Sequence, residues 1–381
     1  MTASARPVIQ ADRYQERLAR AAAGAAAGDL DALLIGVGSD LRYLTGYAAM
    51  PLERLTLLVV PTTGRPFLVV PRLELGAAEA GVRPVLDIRT WGETDDPYAV
   101  ALAGLRPDAA VAVSDTMLAM HVLRLQRGLG PAARMDLASG VLRELRMHKD
   151  DDEIALLRLA AQAADRVVAA IAAGRLIGRT EADVAREVRE RLIIEGHEEA
   201  HFAIVGSGPN SASPHHDASD RVIQAGEPIV LDIGGTLDGY GSDITRTLWV
   251  TGGDAARGPD ERFRHLFSVL YAAQAAGTRA ALAGVPCEGV DAATRAVIDG
   301  EGYGEAFFHR TGHGIGLDGH EDPYLVVGNH LPLAPGMAFS VEPGIYLPGE
   351  YGARIEDIVV CGLDGPLVLN EAPRELYVID G

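Results

Sequence analysis

The sequence predicts an α/β (α+β) protein of two domains, residues 1–147 and 148–381, the second built from two similar halves. Three observations predict it. The chain has 381 residues with 48% hydrophobic content, long for one domain and ample for two cores. Short apolar runs rich in Val, Ile and Leu alternate with segments of 3.6-residue periodicity, the mark of mixed strands and helices. Beyond residue 150 an order of two helices followed by strands occurs twice, without a visible sequence repeat.

In the first domain, residues 31–37 (DALLIGV) read as a strand, and 56–61 with 66–70 as a hairpin around Thr62-Thr63-Gly64-Arg65. A further strand spans 109–113 and a helix 117–129. The boundary falls near 145–150, where Met147-His148-Lys149-Asp150 introduces a helix with acids in its first turn. That helix carries Ile154, Leu157, Ala161, Ala164, Val168 and Ile171 on one face. Thr180-Glu181-Ala182-Asp183 reads as a capping box for a second helix, which buries Val184, Val188 and Leu192 and stops at Gly196. Strands holding His215, Asp232 and Asp243 follow. The order then recurs: a helix with Phe263, Leu266, Phe267 and Leu270, another near 287–300, and strands holding His313, Glu342 and Glu356. Both halves donate chemistry-bearing residues, so a site is expected at their seam.

Asp232, Asp243, His313, Glu342 and Glu356 offer four hard carboxylates and an imidazole. Two adjacent divalent ions need such a set, because a bridging carboxylate offsets the repulsion between cations. Asp232 ends the apolar run Ile229-Val230-Leu231, and Asp243 lies where β-branched residues resume after Gly239 and Gly241, so the two can face each other across a hairpin. His313 sits between Gly312 and Gly314, where bare backbone can pass close to an ion. Glu342 is stopped by Pro343-Gly344, and Glu356, beside Asp357, opens a strand over 355–360. A lone acid after an apolar run is more often a turn or cap residue. Four of them at otherwise apolar strands are costly to bury unless paired or coordinated. The set reads as a hydrolytic two-metal site.

The strings SGPNSASPHHDASDRVIQAGEPIVLDIGG, GYGSDITRT, TGHGIGLDGHED, LAPGMAFSVEPGIY and ARIEDIVV resemble the motifs of the creatinase/prolidase/methionine aminopeptidase family, the pita-bread metallopeptidases. They cover most of residues 205–361 in family order. The resemblance implies a small creatinase-like N-terminal α/β domain and a C-terminal pita-bread domain with pseudo-twofold halves. It implies that Asp232 holds one metal, that Asp243 and Glu356 bridge both, and that His313 and Glu342 complete the second, with Glu342 also shuttling a proton. His215 and His320 match imidazoles that contact the substrate or its developing oxyanion; His309, His216 and Arg354 match substrate-pocket positions. The implied cofactors are two divalent ions per subunit, Mn²⁺ first, with Co²⁺, Zn²⁺ or Fe²⁺ also compatible.

Within the family, the SxPHH string, the position of His309 and the separate N-terminal domain point away from methionine aminopeptidase and to a proline-specific peptidase, read as a Xaa-Pro aminopeptidase acting on peptides with proline at the second position. The alternative is a Xaa-Pro dipeptidase (prolidase), which must hold the C-terminal carboxylate; prolidases resemble one another in placing an arginine between the metal His and the next ligand Glu. Residues 314–353 contain neither Lys nor Arg, which favours longer substrates and leaves Arg42 or Arg354 to supply the charge. A creatinase-like amidinohydrolase or a noncatalytic protein-binding module is disfavoured, since all five ligands are kept.

A net charge of −19 argues against nucleic acid as partner. Cys287 and Cys361 have no close-spaced partner and fit buried thiols of a reducing compartment. The N-terminal stretch lacks the apolar core of a signal peptide and no run approaches membrane-helix length, so a cytoplasmic protein that engages no membrane is expected. A homodimer is expected as the commonest assembly.

Overall fold

A computed structural model describes residues 6–381. They fall into two compact units, one reaching Arg146 and the other spanning Met147–Gly381.

The first unit carries β1 (Ala32–Ile35), β2 (Leu57–Pro61), β3 (Phe67–Pro71), β4 (Asp87–Trp91), β5 (Ala110–Val113) and β6 (Arg134–Leu137), in the order β4-β3-β2-β1-β5-β6. Its helices are α1 (Ala11–Ala27), α2 (Ser39–Thr45), α3 (Leu75–Gly81), α4 (Pro97–Leu102), α5 (Ala119–Leu129) and α6 (Ser139–Met147). β2 pairs antiparallel with β1 and β3, whereas β3–β4, β1–β5 and β5–β6 are parallel. Parallel neighbours need crossovers, which α3 supplies between β3 and β4 and α5 between β5 and β6. The inner strands are buried along almost their whole length and read as unbroken apolar runs. The outermost strands, β4 (DIRTW) and β6 (RMDL), are more polar and more exposed; no hydrophobic run announces them in the sequence.

In the second unit α7 (Asp151–Ala172) and α8 (Glu181–Ile194) precede β7 (Glu199–Ser207), β8 (Glu227–Leu237) and β9 (Tyr240–Val250). Then α9 (Glu261–Ala280) and α10 (Cys287–Gly300) precede β10 (Gly312–Gly314), β11 (Glu321–Leu325), β12 (Ala338–Val341), β13 (Gly344–Leu347), β14 (Tyr351–Arg354), β15 (Asp357–Cys361), β16 (Pro366–Val368) and β17 (Tyr377–Ile379). One sheet runs β17-β9-β8-β7, the other β11-β10-β12-β15-β16, and β13–β14 is a hairpin. The double helix-helix-strands order is therefore present.

Capping fixes where the first two helices begin. The Asp150 carboxylate accepts from the Glu153 N–H at 2.9 Å while Glu153 accepts from the Asp150 N–H at 3.1 Å, and Thr180 with Asp183 repeats the device. α7 buries a broader face than one stripe, adding Leu156, Ala160, Ala163 and Val167, because it packs on β8, β9 and α8 together. Val168, Ile171, Val184, Val188 and Leu192 meet Val205, Ile229, Leu231, Ile244 and Leu248 in one core, each large aliphatic contributing roughly 1.5–3 kcal/mol. The two sheets touch where Thr245 of β9 forms an isolated bridge with Glu356. Among the described residues no helix is long and apolar enough to cross a membrane.

Candidate metal centre

At that seam the five acid and imidazole side chains converge. In the β8–β9 ladder Asp232 lies opposite Thr245 and Asp243 opposite Gly234, so the acids are diagonal neighbours on one face. Glu356 arrives from the second half. It stands in the gap between β14 and β15 rather than opening the strand, with its N–H donated to the Thr245 carbonyl at 3.1 Å and its Oε2 accepting from the Thr245 hydroxyl at 2.8 Å. Asp357, one residue on, points the other way and pairs with Arg246 at 2.6 Å.

Ligand atoms of Asp232, Asp243 and Glu356 lie within 4.8 Å of one another; so do those of His313, Glu342 and Glu356, and those of Asp243, His313 and His320. His313 Nε2 is 3.4 Å from Glu342 Oε1 and 3.7 Å from Asp243 Oδ2. Its Nδ1 donates to the Gly314 carbonyl at 3.1 Å, so the Nε2 lone pair faces the acids, the tautomer a metal ligand needs. The glycines flanking His313 serve the sheet, not an ion: a Cβ at Gly312 would collide with the Ser340 carbonyl, and one at Gly314 with the backbone of Glu321 and Asp322.

Burial followed by the facing charges of Asp232 and Glu342 pushes Asp243 well above the usual carboxylate range. Burial and Asp243 do the same to Glu356, and burial raises Glu342 to about 7. Burial, then the neighbouring His320, depresses His313 to about 3, so it is neutral at ordinary pH. Asp232 Oδ1 and Glu356 Oε1 are buried with no hydrogen-bond partner among the described residues. Acids crowded this closely, with oxygens that accept no hydrogen bond and a neutral imidazole, form a donor set that fits divalent ions.

The remaining sequence candidates separate. Arg354, expected at substrate, is buried, and its donors go to Asp232 Oδ2 at 2.6 Å, the Tyr346 hydroxyl at 2.7 Å, Thr245 Oγ1 at 3.1 Å and the Pro214 carbonyl at 3.2 Å. It is a holder of Asp232. Tyr346 in turn donates to His309 Nε2 at 3.0 Å, since His309 Nδ1 donates to the Arg310 carbonyl. His309 thus lines the cavity, lowered to about 4 by burial and by Arg354.

His215 lies in the loop after a 3₁₀ turn at Gly208–Ala212, not on a strand as expected from the sequence. It is exposed towards the cavity. His216 also borders the cavity, and its Nε2 is bound to Glu181 at 2.7 Å, which anchors the loop. Glu181 is fully buried and also accepts from Ser207, Asn210 and Ser219. Although burial opposes its charge, the Ser219 and Ser207 hydroxyls and His216 hold it at about 2. His320 stacks on His313 at 3.8 Å between ring centroids, and its Nδ1 accepts from Arg310 at 3.1 Å. Burial and Arg310 lower its pKa.

Sequence reading missed Thr245, Tyr346, Glu181 and Arg310. Thr245 had a signal: it alternates with Asp243 and Thr247 on one face of β9, the period of two that marks a shared surface. The five acid and imidazole side chains line a cavity of about 800 Å³ together with His215, His309, Arg310 and His320.

Known proteins place this arrangement. Residues 17–148 match the creatinase/prolidase N-terminal domain and residues 155–362 match metallopeptidase family M24. The probable dipeptidase PepE of Mycobacterium tuberculosis is 49% identical over 376 residues, covering 97% of this chain and 98% of that one. The Xaa-Pro dipeptidase of Lactobacillus helveticus is 32% identical, covering 89% and 92%. A crystal structure of recombinant prolidase from Thermococcus sibiricus superposes with a TM-score of 0.89 at 34% identity, covering 96% and 99%. A seam of buried acids between two like halves and a match over most of the second unit lead to one assignment: the chain belongs to metallopeptidase family M24 and is a peptidase.

Proposed function

We propose that this chain is a dinuclear metal-dependent Xaa-Pro dipeptidase, cutting the bond before a C-terminal proline. The observation that carries the metal dependence is the pair of orphaned oxygens, Asp232 Oδ1 and Glu356 Oε1, within a ring of facing acids. Support for the dipeptide comes from the relatives, named dipeptidase and Xaa-Pro dipeptidase. They favour it over the aminopeptidase reading, whose ground was the lack of Lys and Arg in residues 314–353.

In this reading Asp232, Asp243, His313, Glu342 and Glu356 would hold two divalent ions, Mn²⁺ foremost. Such ions, when bound, acidify water and polarise the scissile carbonyl. Glu342, on the cavity wall, takes a proton from the attacking water at its carboxylate and returns it to the leaving proline nitrogen. His320, with Nδ1 occupied by Arg310, carries its proton on Nε2 and can donate to the developing oxyanion, as can His215 from the facing loop. The acids of the cavity attract the free α-amino group, which suits an exopeptidase. A cytoplasmic homodimer completes the reading. Comparing kcat/KM for Ala-Pro with Ala-Pro-Ala tests it: the dipeptide is expected to be preferred, and a clear preference for the tripeptide would return the assignment to aminopeptidase.

A further inference from the structure

A dipeptide ending in proline brings a carboxylate into the cavity, and a carboxylate in a partly enclosed site requires a cation. Two arginines line the cavity, Arg310 and Arg354. The second is spent: its hydrogen-bond partners are fixed protein groups, Asp232 above all. Arg310 is different. It is half-buried, its guanidinium lies 4.5 Å over the Tyr324 ring, and its one side-chain hydrogen bond among the described residues goes to His320 Nδ1. It has no carboxylate partner among those residues. The stack holds the planar fork while leaving further N–H donors open, the geometry a carboxylate fits bidentately.

Resting on the dipeptidase reading above, we propose that Arg310 receives the C-terminal carboxylate of the substrate and so selects peptides that end at the proline. Its position beside His320 gives the proposal its scale. In a Xaa-Pro dipeptide the scissile carbonyl carbon and the terminal carboxyl carbon are separated only by the proline nitrogen and Cα, on the order of 3 Å. Arg310 Nη2 is hydrogen-bonded to His320 Nδ1 at 3.1 Å, so its remaining donors lie beside the imidazole whose Nε2 faces the oxyanion, as near neighbours as the two groups they would bind. Nearby Phe308, 63% exposed and 5.5 Å from the Tyr346 ring, supplies apolar wall for a proline ring. A longer peptide would present a neutral amide carbonyl at this point, a weaker acceptor for a guanidinium.

The test is kcat/KM of the metal-loaded enzyme for Ala-Pro and for its C-terminal amide, in wild type, Arg310→Met and Arg310→Lys. Wild type should favour the acid. Arg310→Met should lose roughly ten- to a hundredfold more on Ala-Pro than on the amide, the worth of a charged hydrogen bond, and Arg310→Lys should keep part of the preference. An equal fall on both substrates would mean that Arg310 acts only through His320, and no fall on either would mean that another group binds the carboxylate; either leaves the acid-to-amide ratio unchanged and overturns the proposal. A wild type that prefers Ala-Pro-Ala to Ala-Pro overturns the dipeptidase reading and the proposal together, whereas a dipeptide-preferring wild type with an unchanged ratio in Arg310→Met overturns the Arg310 assignment alone.

Discussion

Arg354 Nη2 and Asp232 Oδ2 form a 2.6 Å ion pair in which both side chains are almost wholly buried, and it leaves Asp232 Oδ1 without a hydrogen-bond partner among the described residues. One oxygen is fixed so that the other can be offered. The same guanidinium reaches Thr245 of β9 and Tyr346 of β13, so a residue of the second half sets the orientation of an acid in the first.

Removing that guanidinium strands a buried anion. Arg354→Met should destabilise the metal-free protein by on the order of 3–5 kcal/mol, and the metal-loaded protein less, because bound cations would compensate Asp232 in its place. Thermal melts of stripped and Mn²⁺-loaded protein check this; equal losses in both states would contradict it.

Glu356→Gln should have the opposite effect on the stripped protein. It removes one of the facing charges while an amide oxygen can still accept from the Thr245 hydroxyl. The variant should melt higher than wild type when both are metal-free at about pH 8. It should also bind less metal by elemental analysis and fail to turn over.

The pH dependence of the stripped protein has a definite sign. Glu342 is raised by burial from 4.5 to about 7, so the fold prefers its protonated form. That contribution is fully present below about 4.5 and is lost as pH rises through about 7; Asp243 and Glu356, also raised, act in the same direction. The buried histidines, His313 lowered to about 3 and His309 to about 4, act oppositely only below their ordinary value of 6.5, so metal-free protein should lose stability, by on the order of a few kcal/mol, between about pH 6.5 and 8. A Tm that climbs over this interval would contradict the electrostatics.

The two kinds of histidine should part experimentally. His215 borders the cavity outside the cluster, so His215→Ala should keep its metals and lose on the order of a hundredfold in kcat. His313 presents Nε2 to Glu342 and Asp243, so His313→Ala should lose metal. Metal analysis beside steady-state kinetics decides, and the reverse pattern would exchange the roles.

What could be read in the sequence followed from local chemistry. Asp232 and Asp243 stood out because acids at apolar strands are costly, and the hairpin that makes them neighbours was announced by glycines between β-branched runs. The capping box of α8 was visible as a short-range pattern, and the start of α7 as acids in a first turn. Glu181 was visible only as part of that box; its engagement of Ser207, Asn210, His216 and Ser219 depends on residues that folding brings to it. Arg354 was singled out beside Glu356, but its neighbour in space is Asp232, more than a hundred positions away. Arg310 escaped notice because the search for a carboxylate partner ran forward from His313, whereas the available guanidinium lies just before it.

The most direct test of the account is a metal titration. Stripped protein, verified metal-free by elemental analysis, is loaded stepwise with Mn²⁺ while bound metal and the rate of Ala-Pro hydrolysis are followed together. The account predicts negligible hydrolysis at the start and activity that rises as the site fills towards about two ions per chain. Hydrolysis at the full rate by the metal-free protein would contradict it.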